Sequence, residues 1–374
     1  MTLQTLGRLL DCAARSNRVN RKELKGRLQR AIPRPVTAGA LQALQYVPGL
    51  QQAFDLSAGV FDGERKATFA GMSHHQQEVL QGSGHAVRTK LRRSVHRLEK
   101  GLIMRPRRPV FALDYIHDAV SMFQLVYADR HHDDDAVLLE KWAFDVLSDY
   151  FDAVEAHPTI DSARRRFTDV VRRRDADDGD LHAAPYQRDL STPPSVSIDA
   201  LLQLAHRRRS VRWFLQKPVP HDVVDQCLEV ALQSPSACNR QPFEVRIYDE
   251  EPLLRKLAAI PMGTTGLHQN FPMLVLWVGQ LRSFSHHRDR HVPYIDASLA
   301  AMAFQFALET QGLSSVCINW PDIPKRERML RDAIHLDDDE RVVMFMAVGY
   351  PDPTGEVPFS QKKPLDAIRT YNKP

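Results

Sequence analysis

Apolar residues recur at helical spacing through much of the first half of the chain. From His85, the residues Val87, Leu91, Val95, Leu98 and Leu102 form one stripe, and Arg88, Lys90, Arg92, Arg93 and Arg97 cover the rest of the surface, which is the pattern of an amphipathic helix. Gly101 is placed to end it as a C′ residue with Leu102 closing the cap, and Pro106 and Pro109 prevent continuation. The helix is therefore expected to stop near Lys100. Two more helices are predicted over residues 111–128 and 136–156, the latter burying Val137, Phe144, Leu147, Phe151 and Val154. Between them His131, His132, Asp133, Asp134 and Asp135 read as a polar turn with an Asp helix start rather than as metal ligands, because consecutive side chains point different ways. Residues 162–174 read as an Arg-rich solvated helix.

A change of pattern follows. Residues 175–195, with Asp177, Asp178, Gly179, Pro185, Pro193 and Pro194, have linker composition. Beyond them Ser197 is a candidate N-cap for a helix running through Leu204, and residues 221–233 form another. Short β-type runs at residues 243–248, 273–278, 315–318 and 342–348 alternate with helices opened by Pro252 and spanning 294–311 and 325–335. Hairpin spacing and strict β-α-β regularity are both lacking, so the expected class is α+β, three layers with a mixed or antiparallel sheet, preceded by an all-α region. Three parts result: a basic helical segment over 1–55, broken at Pro33 and Pro35, a helical domain over 56–185, and a sheet-containing domain over 186–374.

Composition narrows the function classes. The chain has 374 residues, 43% hydrophobic and 26% charged, with a net charge of +4; this suits a globular protein and does not call for a nucleic-acid partner. No apolar run is long enough to span a membrane. Cys12, Cys227, Cys238 and Cys317 are scattered, so neither a disulfide framework nor a thiolate metal site is expected, and the setting implied is reducing and cytoplasmic. Nine Arg or Lys against Asp11 and Glu23 in residues 1–35 read as a basic surface helix, with an organelle transit peptide as the second reading.

Candidate chemistry centres on two stretches. If residues 208–212 run extended, Arg208, Ser210 and Arg212 share one face and Val211 and Trp213 the other; two guanidiniums with a hydroxyl between them suit a phosphate. A short helix later, the run Ser234 to Phe243 supplies amides and hydroxyls on a Pro-stiffened loop able to edge a heterocycle. No G-x-G-x-x-G opens a helix after a strand and no G-x-S-x-G elbow occurs, so neither a Rossmann dehydrogenase nor a serine hydrolase is indicated.

Taken together, Arg208-Arg209-Ser210-Val211-Arg212 and Pro235-Ser236-Ala237-Cys238-Asn239-Arg240-Gln241-Pro242 resemble the FMN-dependent nitroreductase family over residues 190–374. The resemblance implies that Arg208, Arg209, Ser210 and Arg212 hold the FMN phosphate and ribityl chain. It places the flavin ring edge on Pro235, Ser236, Ala237, Asn239 and Gln241. Lys362 and Lys363 match the basic pair that completes the phosphate clamp, and Asn319 and Trp320 match a flavin-proximal strand end, where many relatives carry glycines. By the same resemblance the protein takes hydride from NADPH or NADH, passes it to a small organic acceptor of nitroaromatic, quinone or enone type, uses no catalytic acid of its own, and forms a homodimer whose subunits share each flavin site. Deiodinases and a flavin-fragmenting enzyme also belong to that family, and no lid motif here selects either. Residues 96–102 resemble a segment of extended relatives, some placed in polysaccharide formation; within it His96 and Glu99 are either a surface pair or a lid over the flavin. An interaction protein with a vestigial flavin domain is the alternative from another class.

Overall fold

The computed structural model describes residues 61–129, 133–172 and 182–373; the expectations for residues 1–55, for His131 and His132, and for the first part of the linker lie outside them. Lys66–Pro374 forms one compact unit. Its first part is helical: α1 (Asp62–Gln81), α2 (His85–Leu102), α3 (Ile116–Ala128), α4 (Asp134–Ala153) and α5 (Pro158–Val171). The predicted stripe of α2 is the buried one, with Val87, Leu91, Val95 and Leu98 in a shared core with Ile116, Phe123, Leu147 and Tyr150. Asp133 caps α4 by accepting from the Ala136 amide at 2.9 Å, the role its position suggested.

Several expectations about this part change. Gly101 lies inside α2 instead of ending it; a Cβ there would sit 2.1 Å from the Phe111 ring, so the glycine makes room for that ring. The helix expected from residue 111 begins at Ile116, because Ala112 turns the backbone to φ 64° and leaves Phe111 edge-on to Tyr150. On α4, Val137 is exposed and Leu139 takes the core position. The Arg-rich helix α5 is not merely solvated, since Ile160, Ala163 and Phe167 are buried. Glu99 accepts from Trp142 Nε1 at 2.9 Å and stands 3.6 Å from His96, so this pair ties α2 to α4.

The second part contains α6 (Ile198–Arg207), α7 (His221–Leu232), β1 (Phe243–Tyr248), α8 (Leu253–Ala258), β2 (Met273–Gln280), α9 (Val292–Thr310), β3 (Ser314–Asn319), α10 (Pro324–Arg331) and β4 (Glu340–Gly349). The strands form one sheet in the order β1-β2-β4-β3 with every pairing antiparallel. Along β2 the side chains alternate: Met273, Val275 and Trp277 pack with α7 and α9, and Leu274, Leu276 and Val278 with α8 and α10. That is the three-layer α+β arrangement, and it explains why β2 reads as a continuous apolar run.

The two parts are joined tightly around one segment. Gly71 on α1 lies so close to the chain at Leu281 and Arg282 that an added Cβ would come within 2.8 Å of the Leu281 carbonyl carbon. Arg282 donates to Asp339 from its backbone amide at 2.9 Å and through its guanidinium, reaches Asp337 at 2.5 Å and Glu78 at 3.3 Å. His75 bonds the Arg282 carbonyl at 2.8 Å, His74 bonds Asp339 at 2.9 Å, and His85 bonds the Ser283 hydroxyl at 2.8 Å. Burial, joined by the Arg282 charge, pushes the His85 imidazole down to about 4.

Candidate functional site

The first half of the site is built where α6 ends. Ser197 caps this helix, accepting from the Ala200 amide at 3.1 Å, and the chain leaves it at Arg208 in extended conformation. Ser210 then forms a parallel bridge with Ser315 on the outer edge of β3, and the Val211 amide donates to the Ser315 carbonyl at 3.1 Å. Asn270 fixes the next turn by donating to the Arg212 carbonyl at 2.7 Å. Val211 and Phe214 are buried, whereas Trp213, expected to share the inner face, is 46% exposed. The reason lies in the backbone: Phe214 bridges to Pro351 and its ring takes the space over Gly349, 3.0 Å from where a Cβ would stand.

The basic comb thus stands on a rigid edge. Arg209 donates to the Arg208 carbonyl at 3.1 Å and Arg212 to the Ser210 carbonyl at 3.2 Å. Arg208 Nε is buried and has no hydrogen-bond partner, although a buried donor of this kind is normally satisfied. Near it, Glu309 at the C-terminal end of α9 accepts from Ser314 at 2.9 Å and lies 3.5 Å from Arg207. Burial raises the Glu309 carboxyl, opposed by Ser314 and by the charges of Arg207 and Arg208.

The second half is the loop 235–241. Asp296, buried near the N-terminal end of α9, accepts from the Ser236 hydroxyl at 2.7 Å and the Ala237 amide at 3.0 Å. Ser236 Oγ in turn accepts from the Gln241 amide at 2.7 Å, and the Gln241 side chain donates to Asn239 at 3.1 Å. Cys238, Asn239 and Gln241 all adopt left-handed backbone, with φ of 56°, 50° and 50°. Such non-glycine conformations cost free energy and persist where surroundings impose them. Here a buried carboxylate imposes them.

No hydrogen bond or ion pair among the described residues joins the comb to the loop. Asp296 and Glu309 anchor them thirteen residues apart on α9, about 20 Å along a helix axis. Asn319 ends β3 as an exposed residue. Trp320 is buried, its ring 5.2 Å from Phe345 and its Nε1 donating to Glu327 at 3.2 Å, so it fills the core beside the end of β3. Lys362 and Lys363 are exposed, on an arm with little regular structure over residues 353–373. Sequence reasoning missed Arg93 and Arg240. Helix α2 packs against the turn 237–239, and Arg240 stacks on Phe284 at 4.6 Å. Pairing gives the available signal: Arg88, Lys90, Arg92 and Arg97 meet Asp133, Asp118, Asp135 and Asp114, and Arg93 meets no carboxylate among the described residues.

Comparison with known proteins follows the same division. The Nitroreductase family model matches residues 205–269 and 266–350. Iodotyrosine deiodinase 1 of Sus scrofa is 26% identical over 251 residues, covering 57% of this chain and 86% of that protein. An NADH dehydrogenase of Thermus thermophilus is 25% identical over 194 residues, covering 44% of this chain and 92% of that one. Among solved structures, an FMN-dependent nitroreductase from Clostridium difficile superposes with a TM-score of 0.41 at 20% identity, over 46% of this chain and 99% of that one.

Proposed function

From the match of residues 205–350 to the Nitroreductase family model we propose that the chain is an FMN-dependent oxidoreductase of that family, passing hydride from NADPH or NADH to a small organic acceptor. The observation that carries the reading is Arg208 Nε, a buried guanidinium donor left without a partner. A phosphate oxygen would satisfy it by a charge-assisted bond. Ser210 is held against the edge strand β3 and the Arg212 backbone by Asn270, so the comb is ordered before any anion arrives. Pre-ordering lowers the entropy cost of binding. When bound, FMN supplies the hydride chemistry. The chain's own part is to hold the phosphate with Arg208, Ser210 and Arg212 and to present Ser236, Ala237 and Asn239 to the ring edge. Arg212 adds fixed positive charge there.

The reading includes a two-fold dimer in which the comb of one copy faces the loop of the other. Three features support it. Comb and loop lie at opposite ends of α9. The outer stripe of that helix, Ile295, Leu299 and Met302, is exposed, as are Leu201 and Leu202 of α6. The arm carries Phe359, Ile368 and Tyr371, also exposed, and exposed apolar surface of this extent marks an interface. The interaction-protein alternative has less to rest on, because the helical residues bury their stripe in their own core. Fluorescence quenching on FMN titration tests the proposal: tight uptake of FMN by the full chain supports it, and no quenching at micromolar protein contradicts it.

A further inference from the structure

We propose that Arg240 and Arg93 form an anion seat beside the loop 235–241, which receives a carboxylate or phosphate group carried by the reactant that meets the flavin. The role assigned to the seat rests on the flavin reading; the seat itself rests on geometry. Arg240 lies between Asn239 and Gln241, and its guanidinium is stacked on Phe284 at 4.6 Å. No carboxylate among the described residues forms an ion pair with it. Asp296, within its field, is committed to Ser236 and Ala237, and Asp289 also acts on it.

Into this setting α2 brings a second guanidinium. It packs on the turn 237–239, and Arg93 is close enough to act on Arg240 as a like charge. Asp114, a carboxylate that feels the Arg93 charge, is engaged by Arg97 at 3.1 Å. Burial, opposed by Cys238, Asp289 and Asp296 and joined by the Arg93 charge, pulls Arg240 below its ordinary range. Lys90, paired with Asp118 at 3.4 Å, adds charge on the same side, and burial together with the Lys90 and Arg240 charges lowers the neighbouring His75 imidazole and so keeps it neutral. Two half-buried guanidiniums on packed elements, neither of them in an ion pair among the described residues, are costly to keep charged, and an anion bound by both would offset that cost. Arg remains charged throughout the physiological range and offers a planar fork to carboxylate or phosphate alike.

Thermal unfolding of the full-length protein tests the seat without requiring turnover. Benzoate stands for a carboxylate on an organic acceptor and adenosine 2′-phosphate for the dinucleotide's phosphate; both are compared with sodium chloride at equal ionic strength. At saturating probe the expected rise in Tm is about 2 °C or more, abolished in Arg93→Gln and in Arg240→Gln and retained in Arg97→Gln. Arg240→Lys should keep part of the rise. Whichever probe acts identifies the source of the anion. No rise with either probe, or a rise that persists in Arg93→Gln or Arg240→Gln, overturns the proposal. FMN quenching on the same samples separates the two claims: an anion response without FMN uptake leaves the seat and removes the flavin reading, and FMN uptake without an anion response does the reverse.

Discussion

Asp296 and Glu309 project from the same helix thirteen residues apart, the first holding the loop through Ser236 at 2.7 Å and the second facing Arg207 at 3.5 Å. One rigid element therefore fixes both halves of the site and also fixes their separation. Replacing Asp296 by Ala leaves the Ser236 hydroxyl and the Ala237 amide without their acceptor, at a cost of roughly 1–3 kcal/mol. Urea unfolding of Asp296→Ala should show that loss, and FMN binding should weaken with it. Unchanged stability would mean that the left-handed loop is held by other contacts.

The comb makes a separate prediction. Losing a charge-assisted contact to phosphate costs about 1.5–3 kcal/mol, so Arg208→Ala should bind FMN roughly tenfold to a hundredfold more weakly. Riboflavin, which lacks the phosphate, should bind Arg208→Ala and the parent protein alike. Equal FMN affinity by fluorescence quenching would remove Arg208 from the site.

Packing inside α2 is open to an equally direct check. A methyl group at Gly101 would meet the Phe111 ring at 2.1 Å, and overpacking of this kind typically costs about 1–3 kcal/mol. Gly101→Ala should lower the denaturation midpoint, whereas a glycine serving as an exposed helix stop would tolerate the change.

Acid should loosen the join between the helical part and the sheet. His85 has its pKa lowered to about 4 by burial and Arg282, with Asp135 and Asp339 opposing and Arg92 adding to the effect. Its unfolded form protonates near 6.5, so the unfolded state binds the extra proton first and stability falls as pH drops from about 6.5 toward 4. Burial raises the Asp339 carboxyl, but Arg282 outweighs it and keeps the group below the usual range; its contribution is lost in the same direction at still lower pH. Tm measured across pH 4–8 should decline on the acid side, with a shallower decline in His85→Gln. A flat profile would contradict this assignment.

Much of this architecture was legible because it depends on local pattern. The stripe of α2, the Ser197 cap, the ends of β1 and the buried run of β2 follow from spacing and composition alone. Gly101 was misread because the ring that needs its missing side chain comes from Phe111, beyond the end of the helix. Trp213 was placed inward by alternation, which fails where Phe214 bridges to Pro351. The motif residues were found together in sequence, but their separation along α9 is a property of the fold. Arg93 gains interest only from the ion pairs of its neighbours, since among the described residues it forms none itself.

The shared site is the central claim, and a mixed dimer tests it most directly. Arg208→Ala damages the comb and Asp296→Ala damages the loop, so neither variant alone should retain FMN well. In a heterodimer purified with two different affinity tags, one site joins both damaged halves and the other joins two intact ones. FMN content of that heterodimer should therefore be close to one per dimer, with parent-like affinity. If each chain instead builds its own site, both sites carry a lesion and the heterodimer should bind as weakly as the single variants, a result that would contradict the shared site.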